Sequence, residues 1–147
     1  EEEAVMRLGR IGFDNVVGFL RDGMAALESR PELVRVIARI TAPALAEQLA
    51  ESVGLFVLDV RAEKEWQAGH IAGSHNIPLT HLRERLAEVP SDRPVVVHCE
   101  GGYRSAIATS LLTEAGRKNV SDLVGGIKAW AASRLPIQTE TTSTAGV

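Results

Sequence analysis

The chain has 147 residues, a formal net charge of −3 and a composition that is 45% apolar and 24% charged. That is the profile of one folded domain, or one domain with an appendage, and not of a disordered chain. The acidic balance and the lack of any Lys/Arg run speak against a nucleic-acid partner or a membrane surface, and no apolar stretch nears the ~20 residues of a membrane span.

In chain order, Glu1 to about Arg30 reads as helical, with Val5 and Leu8 on one face and Val16, Val17, Leu20, Met24 and Leu27 at three- and four-residue spacing. Gly9, Gly12 and Gly18 interrupt it and Pro31 ends it. Val34, Val36 and Ala38 alternate with Arg35, Ile37 and Arg39, a short-strand pattern. Thr41 is placed as an N-cap with Pro43 in the first turn of a helix running to Ala50, and Gly54 as its stop. Leu55–Val60 and Pro94–Cys99 are near-continuous apolar runs, the mark of strands covered on both faces. Helical patterns lie between them, at Ala62–Ala68 and at Thr80–Val89 with Leu82, Leu86 and Val89 on one face. Ser105–Ala115 is a further helix, with Ile107, Leu111 and Leu112 inward and Gly116 as its stop. Val120–Val124 is a last strand, and Gly125-Gly126 opens a helix through Trp130. Thr139–Gly146 reads as a surface arm or linker.

Strand alternating with helix implies an α/β fold, a parallel sheet of about five strands with right-handed crossovers and helices on both faces. The division expected is a helical extension over 1–33, the domain over 34–138 and a tail over 139–147.

The chemistry concentrates where a buried strand ends. Cys99, the sole cysteine, closes the run Val95-Val96-Val97-His98 and is followed by Glu100-Gly101-Gly102-Tyr103-Arg104-Ser105 and a helix. The C-terminal edge of a parallel sheet is where ligands bind. Gly101 and Gly102 let several N–H groups converge, the helix start adds free donors, and Arg104 adds a full charge. A thiol there should ionise below the ordinary value and act as a nucleophile. Read alone, Cys99 is a small buried hydrophobe; the coincidence of nucleophile, cradle and sheet edge favours catalysis. A lone Cys also excludes an intrachain disulfide and a Cys-based zinc site, and is what a reducing compartment such as the cytoplasm permits.

These residues resemble the rhodanese-like sulfurtransferase family. Cys99–Arg104 is similar to its active-site loop and Leu58-Asp59-Val60-Arg61 to its strand motif. Glu65 and Gly69-His70-Ile71-Ala72-Gly73-Ser74-His75-Asn76-Ile77-Pro78 resemble its second signature, and Gly125-Gly126-Ile127-Lys128-Ala129-Trp130 its last. Ser74 departs mildly, Ala being commoner there. The resemblance implies the three-layer rhodanese-like fold. It also implies a Cys99 persulfide, formed from thiosulfate or a low-molecular-weight persulfide and removed by an external thiol or cyanide, with no cofactor. Loop length favours sulfur transfer over the phosphatase or arsenate-reductase chemistry of related proteins. A non-catalytic binding module is the other alternative.

Around the loop, Glu100 and Tyr103 are candidates for substrate contact or plain solvent exposure. Asp59 and Arg61 read either as supports of the loop or as members of an ion pair with a neighbour such as Glu65 or Arg104. His70, His75, His81 and His98 lack metal-site spacing, so no metal is expected, and His70 and His98 read as structural hydrogen-bonders. Trp66 and Trp130 read as packing residues. Arg7–Val16 and the Cys99–Ser105 loop further resemble the rhodanese module fused to metallo-β-lactamase-like persulfide dioxygenases. With no initiator Met, that resemblance sets the expectation of a C-terminal module with a fused or associated dioxygenase partner.

Overall fold

The computed structural model describes residues 1–9, 14–51 and 54–139. They fall into two compact units, Glu1–Val36 and Ile37–Val147. The residues beyond 139, which hold most of the expected tail, lie outside the described part, as do residues 10–13.

In the first unit, α1 spans Glu2–Gly9 and carries an Arg7–Glu3 ion pair of 2.6 Å one turn apart. The long helical reading is not upheld beyond it. Residues 14–20 have no helix, 3-10 turns occupy Gly23–Leu27 and Pro31–Leu33, and Pro31 starts its turn where an ending was expected. The reason is lack of burial: none of residues 14–36 is buried, and Val17 is 92% exposed. Helices this short draw their stability from packing a face, and periodicity without packing does not suffice.

The second unit is built on a five-stranded sheet in the order β1-β5-β4-β2-β3. The strands are β1 (Ala38–Ile40), β2 (Phe56–Asp59), β3 (His75–Asn76), β4 (Val95–His98) and β5 (Val120–Leu123), every neighbouring pair parallel. The helices are α2 (Ala42–Ala50), α3 (Glu63–Ala68), α4 (Tyr103–Glu114) and α5 (Gly126–Ala132). The register pairs Val57 with Val96 and Leu58 with Val97. Because side chains alternate along a strand, each apolar run feeds two cores. Leu58, Val95, Val97 and Cys99 pack with Ala108 and Leu112 of α4, while Val57 and Val96 pack with Leu45 of α2 and Trp130 of α5. The same alternation puts Asp59 and His98, register partners, one step beyond Val57 and Val96.

Three local expectations need correction. The first strand lies at Ala38–Ile40, overlapping only the end of the expected Val34–Arg39, because pairing with β5 decides its extent, and Val36 is 93% exposed. Thr80–Val89 is not one helix but two 3-10 turns, Leu79–His81 and Leu86–Glu88. Its face was read correctly: Leu82 and Val89 are buried and Leu86 is half-buried. Ile107 is 54% exposed; the inward face of α4 is Ser105, Ala108, Thr109 and Leu112. The two-residue β3 was too short to carry a strand pattern at all.

Punctuation was read well. Thr41 precedes α2 with Pro43 in its first turn. Gly116 has φ +83° and ends α4 with Arg117 N–H donating to the Leu112 carbonyl. No helix among the described residues is long and apolar enough to cross a membrane.

Candidate active site

The loop from Cys99 to Ser105 leaves β4 at the C-terminal edge of the sheet and runs into α4. Its first three residues turn back so that the Gly102 N–H donates to Cys99 Sγ at 3.1 Å. Gly102 has φ +116°, a backbone conformation that L side chains resist. Gly101 adopts no such angle, so only one of the two glycines is conformationally required.

Cys99 is 2% exposed. Burial pushes its thiol up, but the Ser105 hydroxyl and the backbone amides of Ser105, Gly102 and Gly101 together hold it below the ordinary thiol value. In the thiol state the S–H donates to Ser105 Oγ at 3.6 Å, and that hydroxyl donates to the Gly102 carbonyl at 3.1 Å. A hydroxyl has one proton. Ionisation of Cys99 therefore turns Ser105 from acceptor to donor, at the expense of its bond to Gly102. Three amides and one hydroxyl then face a single anionic sulfur.

Arg104 does not offer a free charge to the bowl. Its guanidinium grips Glu65 of α3 through two bonds of 2.7 and 2.8 Å, pinning the start of α4 to α3. Glu65 also accepts from the Ala62 N–H at 3.0 Å. Arg104 holds the Glu65 carboxyl at about 2, from an ordinary 4.5, while the Arg104 pKa is raised in turn. The sign follows: a depressed carboxyl adds stability above pH 4.5 and loses it as pH falls towards 2. Both side chains are 36% exposed, so solvent screening keeps the pair's worth near ~1 kcal/mol. We expect Glu65→Gln to unfold in urea about 1 kcal/mol more easily at pH 7, with the gap to wild type closing near pH 2. A gap that persists unchanged in acid would contradict this account.

Asp59 and Arg61 pair with each other rather than with Glu65 or Arg104. Arg61 Nε reaches both Asp59 oxygens at 3.0 and 2.9 Å, Nη2 reaches Oδ2 at 2.6 Å, and Nη2 also donates to the Gly69 carbonyl at 2.7 Å. Both side chains are buried. Arg61 Nη1 extends to Glu100 Oε2 at 3.8 Å, and Lys128 Nζ to Glu100 Oε1 at 3.4 Å. Glu100 is thus a half-buried carboxylate held between two cations, whereas Tyr103 is 91% exposed.

Two further residues that build the site, Gly126 and Asn76, had no site role assigned from sequence. Gly126 sits directly beneath the loop: Ile127 N–H donates to the Cys99 carbonyl at 2.9 Å and Lys128 N–H to the Glu100 carbonyl at 3.2 Å. Asn76 Nδ2 donates to the carbonyls of Asp59 and Arg61, each at 3.0 Å, which ties β3 to the end of β2. Both residues lie inside the quoted signatures, so a signal existed, but its structural reason is visible only in three dimensions. His70 Nδ1 makes a 2.9 Å bond with the Trp66 carbonyl, and its ring stacks on Trp66 with centroids 3.9 Å apart. His98 is buried with Nδ1 3.3 Å from the Cys99 carbonyl, and burial holds its pKa below the ordinary value. Trp66 and Trp130 bond Ser74 Oγ and the Pro136 carbonyl, 3.0 and 2.9 Å away.

A parallel sheet that presents a thiol in an amide cradle, braced by two Arg–carboxylate pairs, defines a cysteine-loop α/β protein. Residues 41–133 match the family model described as a rhodanese-like domain, and the chain belongs to that family. It is 34% identical to a sulfurtransferase of Allochromatium vinosum over 102 residues, 69% of this chain and 95% of that protein. It is 39% identical to the probable adenylyltransferase/sulfurtransferase MoeZ of Mycobacterium tuberculosis over 99 residues, but spans a quarter of that protein (25%). A rhodanese-related protein of Thermoplasma volcanium, a solved structure, superposes with a TM-score of 0.65 at 37% identity over 70% of this chain and 99% of that one.

Proposed function

We propose that the chain is a sulfurtransferase that carries sulfane sulfur as a persulfide on Cys99, between a small-molecule donor and an external nucleophile. The observation that carries this reading is the convergence of the Gly101, Gly102 and Ser105 amides on a thiol whose pKa is lowered. Family membership and the sulfurtransferase names of relatives support it at the level of reaction type. A relative in Pseudoalteromonas translucida is named a thiosulfate sulfurtransferase, which makes thiosulfate one donor to test beside low-molecular-weight persulfides.

The steps balance without a cofactor. The Cys99 thiolate attacks the outer sulfur of the donor. A new S–S bond forms, the donor's own bond to that sulfur breaks, and the electron pair leaves with sulfite or a thiolate. The cradle then stabilises the negative terminal sulfur much as an oxyanion hole does. An acceptor thiol or cyanide attacks that sulfur and restores the thiolate. The acceptor comes from outside, because the chain has no second cysteine.

Two finer readings accompany this one. A reducing compartment such as the cytoplasm suits a free thiol of this kind. The resemblance of Arg7–Val16 and of the Cys99–Ser105 loop to dioxygenase fusions supports a persulfide dioxygenase module as the fused or associated partner.

The test is the intact mass of the protein before and after thiosulfate or glutathione persulfide, then after excess cyanide. We expect a gain of one sulfur atom that cyanide removes and that Cys99→Ser never shows. No gain from either donor, with the protein folded and Cys99 reduced, overturns the reading. Hydrolysis of a phosphoester or reduction of arsenate would then favour the rival chemistry. Full biological effect in Cys99→Ser would favour a binding module.

A further inference from the structure

Among the described residues, the cations around Cys99 are each paired with a carboxylate. Arg104 is spent on Glu65 in a bidentate pair, Arg61 on Asp59 in another, and Lys128 faces Glu100 at 3.4 Å. These three acids and three bases cancel, so the ionised thiol gives the site a net charge of about −1. The amide cradle is aimed at one sulfur atom, that of Cys99. Glu100 is the member of the set that is both adjacent to Cys99 in the chain and accessible, its side chain 41% exposed. As the residue next to Cys99 it sets a carboxylate beside the loop, where a second anionic group on a donor is repelled with both neighbouring guanidinium groups already paired.

We infer that Glu100 selects sulfur donors by charge, so that the site takes persulfides and organic thiosulfonates, whose sulfur-bearing group carries at most one negative charge, ahead of thiosulfate, which carries two on that group. This rests on the sulfurtransferase reading above and specifies its donor class. Glu100 is a specificity-determining residue in this account and takes no part in making or breaking bonds. Lys128 moderates it: the ammonium, 71% exposed, partly neutralises the carboxylate. The two residues therefore act on donor choice with opposite sign.

Thiosulfate and methanethiosulfonate form the diagnostic pair. Both present an outer sulfur on a sulfonyl group, and the second replaces one oxyanion by a methyl. In each, the Cys99 thiolate takes the outer sulfur, and the S–S bond breaks to release sulfite or methanesulfinate with the electron pair. The two leaving groups differ in intrinsic reactivity, so the informative quantity is the ratio of kcat/KM values, thiosulfate over methanethiosulfonate, with cyanide as common acceptor. Glu100→Gln should raise that ratio about fivefold, the size of one partly exposed charge interaction. Lys128→Met should lower it by a similar factor, and added salt should shrink both effects. A residue that merely shapes the loop would move both donors together. Ratios unmoved by either variant, or moved in the same direction by both, overturn the inference while leaving the sulfurtransferase reading intact. Failure of both donors to load Cys99 in the wild-type protein overturns the two together.

Discussion

Gly126→Ala is expected to lower stability by roughly 3 kcal/mol or more and to remove most sulfur-transfer activity with it. A Cβ at this position would stand 2.3 Å from the Cys99 carbonyl oxygen and 2.7 Å from that of Glu100. Both obstacles are backbone atoms, so no side chain can swing away. The residue also sits at φ +58°, which by itself costs a non-glycine residue about 1–2 kcal/mol. Relief requires α5 to withdraw from the loop, and withdrawal breaks the Ile127→Cys99 and Lys128→Glu100 bonds that fix the first two loop residues. The nucleophile's own peptide is then no longer held. Urea unfolding, with cyanide-coupled turnover on the fraction that remains folded, measures the two losses separately. Gly101→Ala is the matching control: its Cβ enters open space and its φ is ordinary. Its stability should stay within about 1 kcal/mol of wild type. Gly126→Ala protein that folds and turns over like wild type would show that the close approach of α5 to the loop is not required.

Reading this chain from sequence works where one strand or helix decides its own fate. The valine run before Cys99 could be assigned because a strand covered on both sides reads as a near-continuous apolar run, and the register of Val57 on Val96 and Leu58 on Val97 shows both faces filled. The loop could be assigned because Cys99, the glycines and Arg104 are neighbours in the chain. What escaped depends on contacts far apart in sequence. Arg104 reads from sequence either as an anchor of the loop or as a cation for an anionic donor, and only the pairing with Glu65, 39 residues earlier, decides for the anchor. Gly126 looks like a helix start and is also the floor of the loop. None of the apolar residues spaced from Val16 to Leu27 is buried, so the pattern is not realised as one helix. Thr80–Val89 keeps its apolar face and changes its backbone, because 3-10 turns can also place Leu82 and Val89 in the core.

Asp59→Ala should be the most damaging change away from the loop, at ~3–5 kcal/mol, the usual cost of leaving one member of a buried ion pair alone. Its side chain is fully buried and that of Arg61 is 5% exposed. Deleting the carboxylate leaves the guanidinium with the Gly69 carbonyl and a 3.8 Å contact to Glu100. It also strips His98 Nε2 of the Asp59 Oδ2 atom 3.6 Å away, in a ring that already lacks a hydrogen-bond partner on that nitrogen. The substitution thereby leaves one buried guanidinium without its carboxylate and takes the nearest acceptor oxygen from a buried imidazole. Arg61→Met is expected to cost less, because Asp59 keeps the Arg61 backbone N–H at 2.9 Å and the methionine refills part of the space. The double variant Asp59→Ala/Arg61→Met should then be more stable than the sum of the two losses allows, by about 1–3 kcal/mol, since no charge is left unpaired. Urea denaturation of the four proteins at neutral pH closes this cycle. Strict additivity would mean that Asp59 and Arg61 act independently, and that the end of β2 is held by Asn76 and the sheet alone. A non-additive result would identify the pair as one unit, with the guanidinium carrying the consequence to Glu100 and so to the rim of the site.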